Sequence, residues 1–265
     1  MTLSDDKKIY KKWLKSLKID EVPINDKPTN WFDLAKKNRV SKEMPAVKKI
    51  KKAPPPPPLV NTKDQYYTAK ILAENSHTLS ELKKSIESFE GCSLKKTAST
   101  TVFGDGNPKA DLMLIGEAPG ADEDLQGLPF VGMSGQLLSK ALSCIDIFSR
   151  DQYYITNMIP WRPPGNRQPS SAELEACLPF VEKHIALVNP KVLAFVGGTA
   201  AKTLLNTTQS LNRLKNQEIY YKTPFSNKEI RAFALYHPAY LLRSPSKKAV
   251  LWNDLLTLRE ILGRL

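Results

Sequence analysis

Residues 111–124 have the sequence DLMLIGEAPGADED, in which a short apolar run meets a turn rich in glycine, proline and carboxylates. The run Asp111–Ile115 is typical of a buried strand. The glycines and proline directly after it predict a tight turn. In an open α/β sheet, ligands bind beyond the carboxyl ends of the strands, in the loops that follow them. This stretch therefore predicts both a central strand and the beginning of a site.

Further along the chain, strands and helices alternate. Strands are predicted at 153–156, 192–196 and 231–235, and helices at 135–144, 172–188, 200–205 and 247–262. Thr78–Glu81 has the spacing of a capping box and predicts the beginning of an earlier helix. Alternating strands and helices favour a parallel sheet with helices on both faces. The predicted fold is α/β, a three-layer αβα arrangement around a central, mainly parallel four-stranded sheet.

The first 64 residues differ in composition from the rest. Residues 1–60 hold 15 Lys and Arg against 7 Asp and Glu, so they carry most of the net charge of +12. Pro54–Pro58 favour extended polyproline II and cannot join a core. Tyr10–Leu17 has apolar residues at helical spacing, so a solvated tail and a short docking helix stay open as alternatives. We predict a flexible, basic, partly disordered N-terminal arm at 1–64 and an α/β domain at 65–265.

Charge, cysteine content and hydrophobicity narrow the class of protein. The sequence pI near 9.5 favours an anionic partner, with nucleic acid as the first candidate. Three cysteines do not make a disulfide framework, which fits a reducing compartment. No apolar run is long enough for a membrane span, and the N-terminus lacks the apolar segment of a secretory signal. We therefore expect a cytoplasmic protein that does not associate with membranes.

Three polar motifs each follow a predicted strand. The first runs from Gly116 to Asp124 and continues as GLPFVGMSG at 127–135. The second joins Asn157 to RPPGNR at 162–167, and the third is HPAYLLR at 237–243. Since the carboxyl ends of parallel strands share one edge of a sheet, the three motifs are expected to meet there.

In order and spacing, these motifs resemble the three signature blocks of family-four uracil-DNA glycosylases, over about residues 89–265. The resemblance implies a monomeric enzyme of base excision repair. Such an enzyme flips uracil out of DNA and hydrolyses its N-glycosidic bond, leaving an abasic site. It implies uracil-containing DNA as the partner. For the arm, which the resemblance does not cover, a repair or replication protein and DNA are both candidate partners. No motif lysine is placed for Schiff-base chemistry, so the activity should be monofunctional.

The resemblance and the chemistry of uracil together assign the base-binding residues. The carboxamide of Asn157 offers one acceptor and one donor side by side, which match uracil N3–H and O4. Phe130 resembles the aromatic on which the flipped base stacks, an interaction typically worth about 1–3 kcal/mol per base. Gly116, Ala118 and Gly120 would let the backbone approach the base closely. In isolation, a turn cap would be the favoured interpretation of Asn157. For Phe130 the alternative is ordinary core packing, although an aromatic in a Gly/Pro-rich loop is less often part of a core than one in a strand.

Four residues are candidates for the catalytic work. His237 resembles the histidine that donates a hydrogen bond to O2 of the leaving uracil anion, and a neutral imidazole is sufficient for this. The resemblance implicates Glu117 and Glu123 in holding the water and the site geometry. We favour Glu123 for the water and Glu117 as the organiser of the loop or of His237, with Asp124 as a substitute. Three carboxylates in one pocket would raise each other's pKa values, so they should not share one task.

Further motif residues are expected at the DNA. Candidates for contact with phosphate are Ser134, Gly135, Arg162, Arg167 and Arg243. Amides at the beginning of the helix near Gly135 could bind a flanking phosphate. Leu241 and Leu242 are candidate wedge residues that would hold the duplex open.

The sequence departs from the family at its metal centre. The resemblance implies a four-cysteine iron–sulfur cluster and places two of the ligands at Cys92 and Cys177. Phe89 and Trp161 stand at the other two positions, and neither side chain can bind iron. Two thiolates cannot hold a four-thiolate cluster. We therefore predict no cluster and no other metal or cofactor, with the two aromatics filling its volume.

Two alternatives to uracil hydrolysis stay open. A relative with shifted base preference, acting on hypoxanthine or mispaired thymine, is conceivable because Gly120 stands where another branch of the superfamily has a tyrosine that blocks the thymine methyl group. A non-catalytic DNA-binding module that kept the fold is the second alternative. The intact motif residues argue against the second.

Overall fold

The computed structural model describes residues 62–243 and 248–263. The predicted arm at 1–64 lies outside the described residues except for its last three. These three residues are the first of helix α1, so the described helix extends across the predicted boundary at residue 65. None of the described helices has the length and apolar character needed to cross a bilayer.

A six-stranded sheet forms the centre of the described residues. Its strands are β1 (Asp105–Gly106), β2 (Leu112–Gly116), β3 (Tyr153–Asn157), β4 (Val192–Val196), β5 (Ile219–Lys222) and β6 (Glu229–Leu235). They lie in the order β1-β3-β2-β4-β6-β5. The four predicted strands are confirmed as the parallel strands β2, β3, β4 and β6. The predicted number of four is wrong, because antiparallel β1 and β5 add an edge strand on each side.

Helices flank this sheet. Within the described residues they are α1 (Thr62–Glu74), α2 (Leu79–Ser88), α3 (Ala121–Gln126), α4 (Met133–Ser143), α5 (Ser171–Val188), α6 (Gly198–Leu204), α7 (Leu211–Lys215), α8 (Pro238–Arg243) and α9 (Lys248–Ile261). The predicted helix bounds agree with these to within two residues. The side chain of Thr78 accepts a hydrogen bond from the amide of Glu81, so the predicted cap of α2 is present.

The helices form two layers. Helices α1, α2 and α5 contact one another, and α4, α8 and α9 form a second contacting group. In β2, Met113 and Ile115 join the hydrophobic cluster that includes residues of α1, α2 and α5. Leu112 and Leu114 are equally buried and, because side chains alternate along a strand, face the other layer. The three-layer αβα prediction is confirmed.

The strand register sets the position of the motifs. Gly116, the last residue of β2, pairs with Asn157, the last residue of β3. Val196 at the end of β4 pairs with Leu235 at the end of β6. All four parallel strands therefore end at one edge of the sheet, and the loops after them emerge together.

Candidate active site

A cavity of about 710 Å³ opens at this edge. Residues of all three motifs line it. The predicted residues in its wall are Glu117, Ala118, Gly120, Glu123, Phe130, Ser134, Asn157, Arg167, His237 and Arg243. Five other predicted site residues lie outside the wall, namely Gly116, Asp124, Gly135, Arg162 and Leu241.

The backbone of Gly116 brings Phe130 and Asn157 together. A Cβ atom on Gly116 would lie 2.4 Å from Asn157 Oδ1 and 2.5 Å from Phe130 Cζ, far inside normal contact. Any larger residue would push the ring or the carboxamide aside. Gly116 therefore acts beneath the cavity, by allowing the two side chains to converge on one point.

Asn157 has an unusual hydrogen-bonding state. It is 4% exposed, and its Oδ1 has no hydrogen-bond partner among the described residues. A buried acceptor left unpaired typically costs about 1–3 kcal/mol. Since Asn157 is part of the cavity wall, this oxygen is a candidate acceptor for a donor on a bound ligand. The pairing of β3 with β2 fixes the backbone that carries it.

Phe130 presents its ring near His237. The two ring centroids lie 5.9 Å apart, with the planes inclined at 37°. The backbone of Phe130 has φ of 56°, in the left-handed region that bulky residues avoid. Helix α4 crosses this backbone at Gly135, where a Cβ atom would lie 1.8 Å from the Phe130 carbonyl oxygen. Gly135 therefore supports the Phe130 loop from below.

The protonation state of His237 follows from its contacts. The amide of Ala239 donates to Nδ1 of His237 at 3.2 Å, which leaves the proton of a neutral ring on Nε2. Burial lowers the pKa of His237 to about 4, with the charge of Arg243 acting in the same direction and that of Glu123 opposing it. The ring is therefore a neutral Nε2–H donor at pH 7.

Glu123 is held by the backbone of its own loop. Its Oε1 accepts from the amides of Val131 at 3.0 Å and Gly132 at 2.9 Å. Its Oε2 accepts from the amide of Gly120 at 3.1 Å. Both oxygens of a carboxylate that is only 9% exposed are thus used to join the two halves of motif one.

Glu117 is half-buried and has a different partner. Its Oε2 accepts from the hydroxyl of Thr199, at the beginning of α6. The turn after β4 and the beginning of α6 supply four wall residues that sequence analysis did not assign to the site, namely Gly197, Gly198, Thr199 and Lys202. Their sequence signal is a Gly-Gly turn directly after the third predicted strand, but it lies outside the three motifs.

Asp124 is separated from the two glutamates. Its Oδ1 accepts from the amides of Ser99 at 2.8 Å and Thr100 at 3.1 Å, and it is 4% exposed. The hydroxyl of Thr100 also donates to the backbone oxygen of Asp124 at 2.6 Å. Asp124 therefore fixes an earlier loop and is not part of the cavity wall.

The three arginines predicted to contact phosphate differ in their hydrogen-bond partners and in whether they lie in the cavity wall. Arg167 lies in the cavity wall but makes two hydrogen bonds with Glu173, at 2.7 and 2.9 Å. Arg162 donates to Asn166 at 2.8 Å and lies outside the wall. Arg243 lies in the wall, as does Ser134 at the beginning of α4.

The two predicted wedge residues, Leu241 and Leu242, differ in their exposure to solvent. Leu241 is completely buried, so a wedge role would require it to leave the core, and its assignment stays a prediction. Leu242 is 39% exposed, and Tyr240, which lies in the cavity wall, is 37% exposed. Helix α8 explains the difference, because successive helical residues point in different directions.

The positions that correspond to cluster ligands are packed as a hydrophobic core. Cys92, Cys177, Phe89 and Trp161 are all buried in one cluster. Phe89 packs edge-on against Phe180, with the two ring centroids 5.1 Å apart. The indole N–H of Trp161 donates to the hydroxyl of Thr101 at 3.1 Å.

The two thiols in this core interact with each other. A hydrogen bond with Cys92, together with burial, raises the pKa of the Cys177 thiol well above its usual range. With only two cysteines in this core, the donor set does not fit a four-thiolate cluster. In the part of the chain that the structure describes, no group of three or more His, Cys, Asp or Glu could hold a metal ion.

Residues 103–256 match the family model of the uracil DNA glycosylase superfamily. The chain belongs to this superfamily.

Within the superfamily, the chain is similar to Type-4 uracil-DNA glycosylases. It is 35% identical to that of Sulfurisphaera tokodaii over 188 residues, which are 69% of this chain and 84% of the relative. It is 35% identical to that of Archaeoglobus fulgidus over 191 residues, 71% and 94% of the two chains. The Type-4 enzyme of Pyrobaculum aerophilum is 36% identical over 181 residues, 67% of this chain and 91% of the relative.

Proposed function

We propose that this protein hydrolyses the N-glycosidic bond of uracil in DNA and so initiates base excision repair. One observation carries the proposal. Asn157, Phe130 and His237 share one cavity wall, and the buried Oδ1 of Asn157 has no partner among the described residues. The similarity to Type-4 uracil-DNA glycosylases supports DNA as the substrate.

Base recognition rests on Asn157. In the proposed complex, Oδ1 accepts from uracil N3–H, and the carboxamide NH₂ group donates to O4. Cytosine offers an acceptor at N3 and a donor at C4, so both contacts would be mismatched. Leaving buried polar groups unpaired typically costs about 1–3 kcal/mol each, which is sufficient for discrimination.

Bond cleavage rests on His237. As the C1′–N1 bond breaks, its electron pair passes to the base and negative charge develops on uracil O2. The Nε2–H of neutral His237 donates to that oxygen and stabilises the anion without giving up its proton. The ring of Phe130 holds the base by stacking during this step.

Water addition completes the reaction. The oxygen of a water molecule bonds to C1′ of the oxocarbenium-like sugar, and the proton that the water loses neutralises the uracil anion, so that neutral uracil leaves. The hydrogen bonds favour Glu117 as the group that positions this water, since Glu123 already accepts from three backbone amides. We therefore propose the reverse of the division expected from sequence, with Glu123 organising the loop. Thr199 orients Glu117 through its hydroxyl.

We also propose that the protein carries no iron–sulfur cluster. The packing of Phe89 against Phe180 and the hydrogen bond of Trp161 support this proposal. In this view, apolar packing takes over the stabilising role of a cluster.

Release of free base from oligonucleotides tests the function. We expect release from a uracil-containing strand, and a loss of at least a hundredfold in kcat/KM for both Asn157→Ala and His237→Ala, since transition-state contacts of this kind are worth several kcal/mol. His77→Ala is the matched control, because His77 is exposed and lies outside the cavity wall. Binding without release would indicate a non-catalytic DNA-binding module. Faster release of hypoxanthine or mispaired thymine would indicate a shifted base preference.

A further inference from the structure

The loop that carries Phe130 has an unusual backbone conformation at that residue. Its left-handed φ of 56° is unfavourable for a bulky residue and persists only where the surroundings impose it. Phe130 is 7% exposed, so its ring and its backbone are both confined. Gly135 of motif one packs against the Phe130 carbonyl, but among the described residues no side chain of the three motifs donates a hydrogen bond to it.

Opposite charges act on the two sides of the loop. On one side, Nη2 of Arg150 donates to the carbonyl oxygens of Pro129 at 3.0 Å and Phe130 at 2.9 Å. On the other side, Glu123 accepts from the next two backbone amides. Carbonyls thus face a cation and amides face an anion, which orients the peptides on either side of Phe130.

Arg150 is itself anchored to the edge of the sheet. It begins the 3-10 turn Arg150–Gln152, which leads directly into β3. Its Nε lies 3.4 Å from Asp105 Oδ2 on β1, and its guanidinium carbon lies 5.2 Å from the ring centroid of Tyr153. The guanidinium therefore reaches the loop from a fixed position.

We propose that Arg150 is a positioning residue for the stacking face of Phe130, an inference that rests on the function proposed above. Without the guanidinium, the backbone of Phe130 relaxes from the left-handed region. Its ring then leaves the point above Gly116 at which it meets Asn157. The loss falls on binding of the flipped base, whereas affinity for DNA without uracil is unchanged.

Three variants test this role. Arg150→Met removes both carbonyl contacts and keeps the apolar stem, and Arg150→Lys keeps the charge without the planar fork. Arg231→Met is the matched control, since it removes an exposed Arg–Glu218 pair from outside the cavity wall. We expect KM and the inhibition constant of free uracil to rise about tenfold in Arg150→Met, in line with the loss of base stacking. Arg150→Lys should be intermediate and Arg231→Met unchanged.

Two further measurements separate this inference from the proposed function. In a Phe130→Ala background, Arg150→Met should have no additional effect on KM, because the ring to be positioned is gone. A crystal structure of Arg150→Met should show a negative φ at residue 130. An active enzyme with unchanged KM in Arg150→Met, or a φ still near 56°, would overturn the inference. If the unmodified chain releases no uracil, the proposed function fails, and the φ value still decides the role of Arg150.

Discussion

The ring centroids of Phe130 and His237 lie 5.9 Å apart, although the two residues come from loops that follow different strands. The Phe130 loop joins α3 to α4 in the segment after β2, and His237 follows β6, on the far side of β4 in the sheet. Asn157 joins them from the end of β3. An aromatic face, an imidazole donor and a carboxamide thus surround one space, because three parallel strands end at the same edge.

The tautomer of His237 gives the first prediction. Because Nδ1 accepts from Ala239 and burial lowers the pKa of His237 to about 4, the ring should be neutral, with its proton on Nε2, from pH 5 to pH 8. Nitrogen-15 chemical shifts of the imidazole measure this, and the spectrum of His237→Asn assigns the signal. A ring that is protonated at pH 7, or neutral with the proton on Nδ1, would contradict the mechanism.

The two glutamates should respond differently to neutralisation. Glu123→Gln disturbs three backbone hydrogen bonds to a buried carboxylate, so we expect it to lower the free energy of unfolding by about 1–3 kcal/mol. Glu117→Gln should leave stability nearly unchanged and lower kcat at least tenfold. Urea denaturation and single-turnover kinetics measure the two effects, and the opposite pattern would restore Glu123 as the water-positioning group.

Thr199 supplies a control for the role of Glu117. Thr199→Val removes the hydroxyl that donates to Glu117 and should lower kcat with little change in KM, whereas Thr199→Ser should restore it. In a Glu117→Gln background, Thr199→Val should have no further effect, because coupled residues are not additive.

His184 should make the protein sensitive to acid. It is buried against the hydroxyl of Tyr154 and the ring of Phe103, and burial lowers its pKa to about 3. The unfolded chain binds a proton at this residue below about pH 6.5, but the native state does not until about pH 3. Stability contributed by neutral His184 is therefore lost as the pH falls through this window.

His184→Gln removes this titration and keeps a partner for Tyr154. Between pH 7 and pH 5, the unmodified protein should lose up to about 2 kcal/mol more stability than the variant. Urea denaturation at the two pH values measures the difference, and parallel losses would show that His184 titrates alike in both states.

The cluster proposal predicts the metal content. Purified protein should contain less than about one iron atom per ten chains, since two thiols cannot hold a four-thiolate cluster. The double variant Phe89→Cys with Trp161→Cys places thiols at all four positions and is the matched comparison. A stoichiometric cluster in the unmodified protein would contradict the proposal, whereas iron in the double variant alone would support it.

The sequence was most informative where a pattern is local. Continuous apolar runs identified all four parallel strands, because such strands are buried on both faces. The edge strands were missed because β1 has only two residues and β5 alternates between buried and exposed positions. The three motifs, recognised by their order and spacing, also contain ten predicted residues that lie in one cavity wall.

Contacts between distant segments were not predictable in this way. Glu117, Glu123 and Asp124 are close in sequence, but Asp124 binds amides some 25 residues earlier in the chain, and Glu117 binds Thr199 far beyond it. Arg150 lies outside every motif and contacts Phe130 through its backbone carbonyl. A pattern of residue types cannot predict such a contact, because every residue has a backbone carbonyl. The pair Leu241-Leu242 looks uniform in sequence, yet the helix buries one and exposes the other.

A crystal structure of the chain with uracil bound tests the central claim most directly. We predict N3 of uracil about 2.9 Å from Asn157 Oδ1, O2 within hydrogen-bond distance of His237 Nε2, and the base stacked on Phe130. Uracil bound elsewhere, or in this cavity without a hydrogen bond to Asn157, would contradict the account.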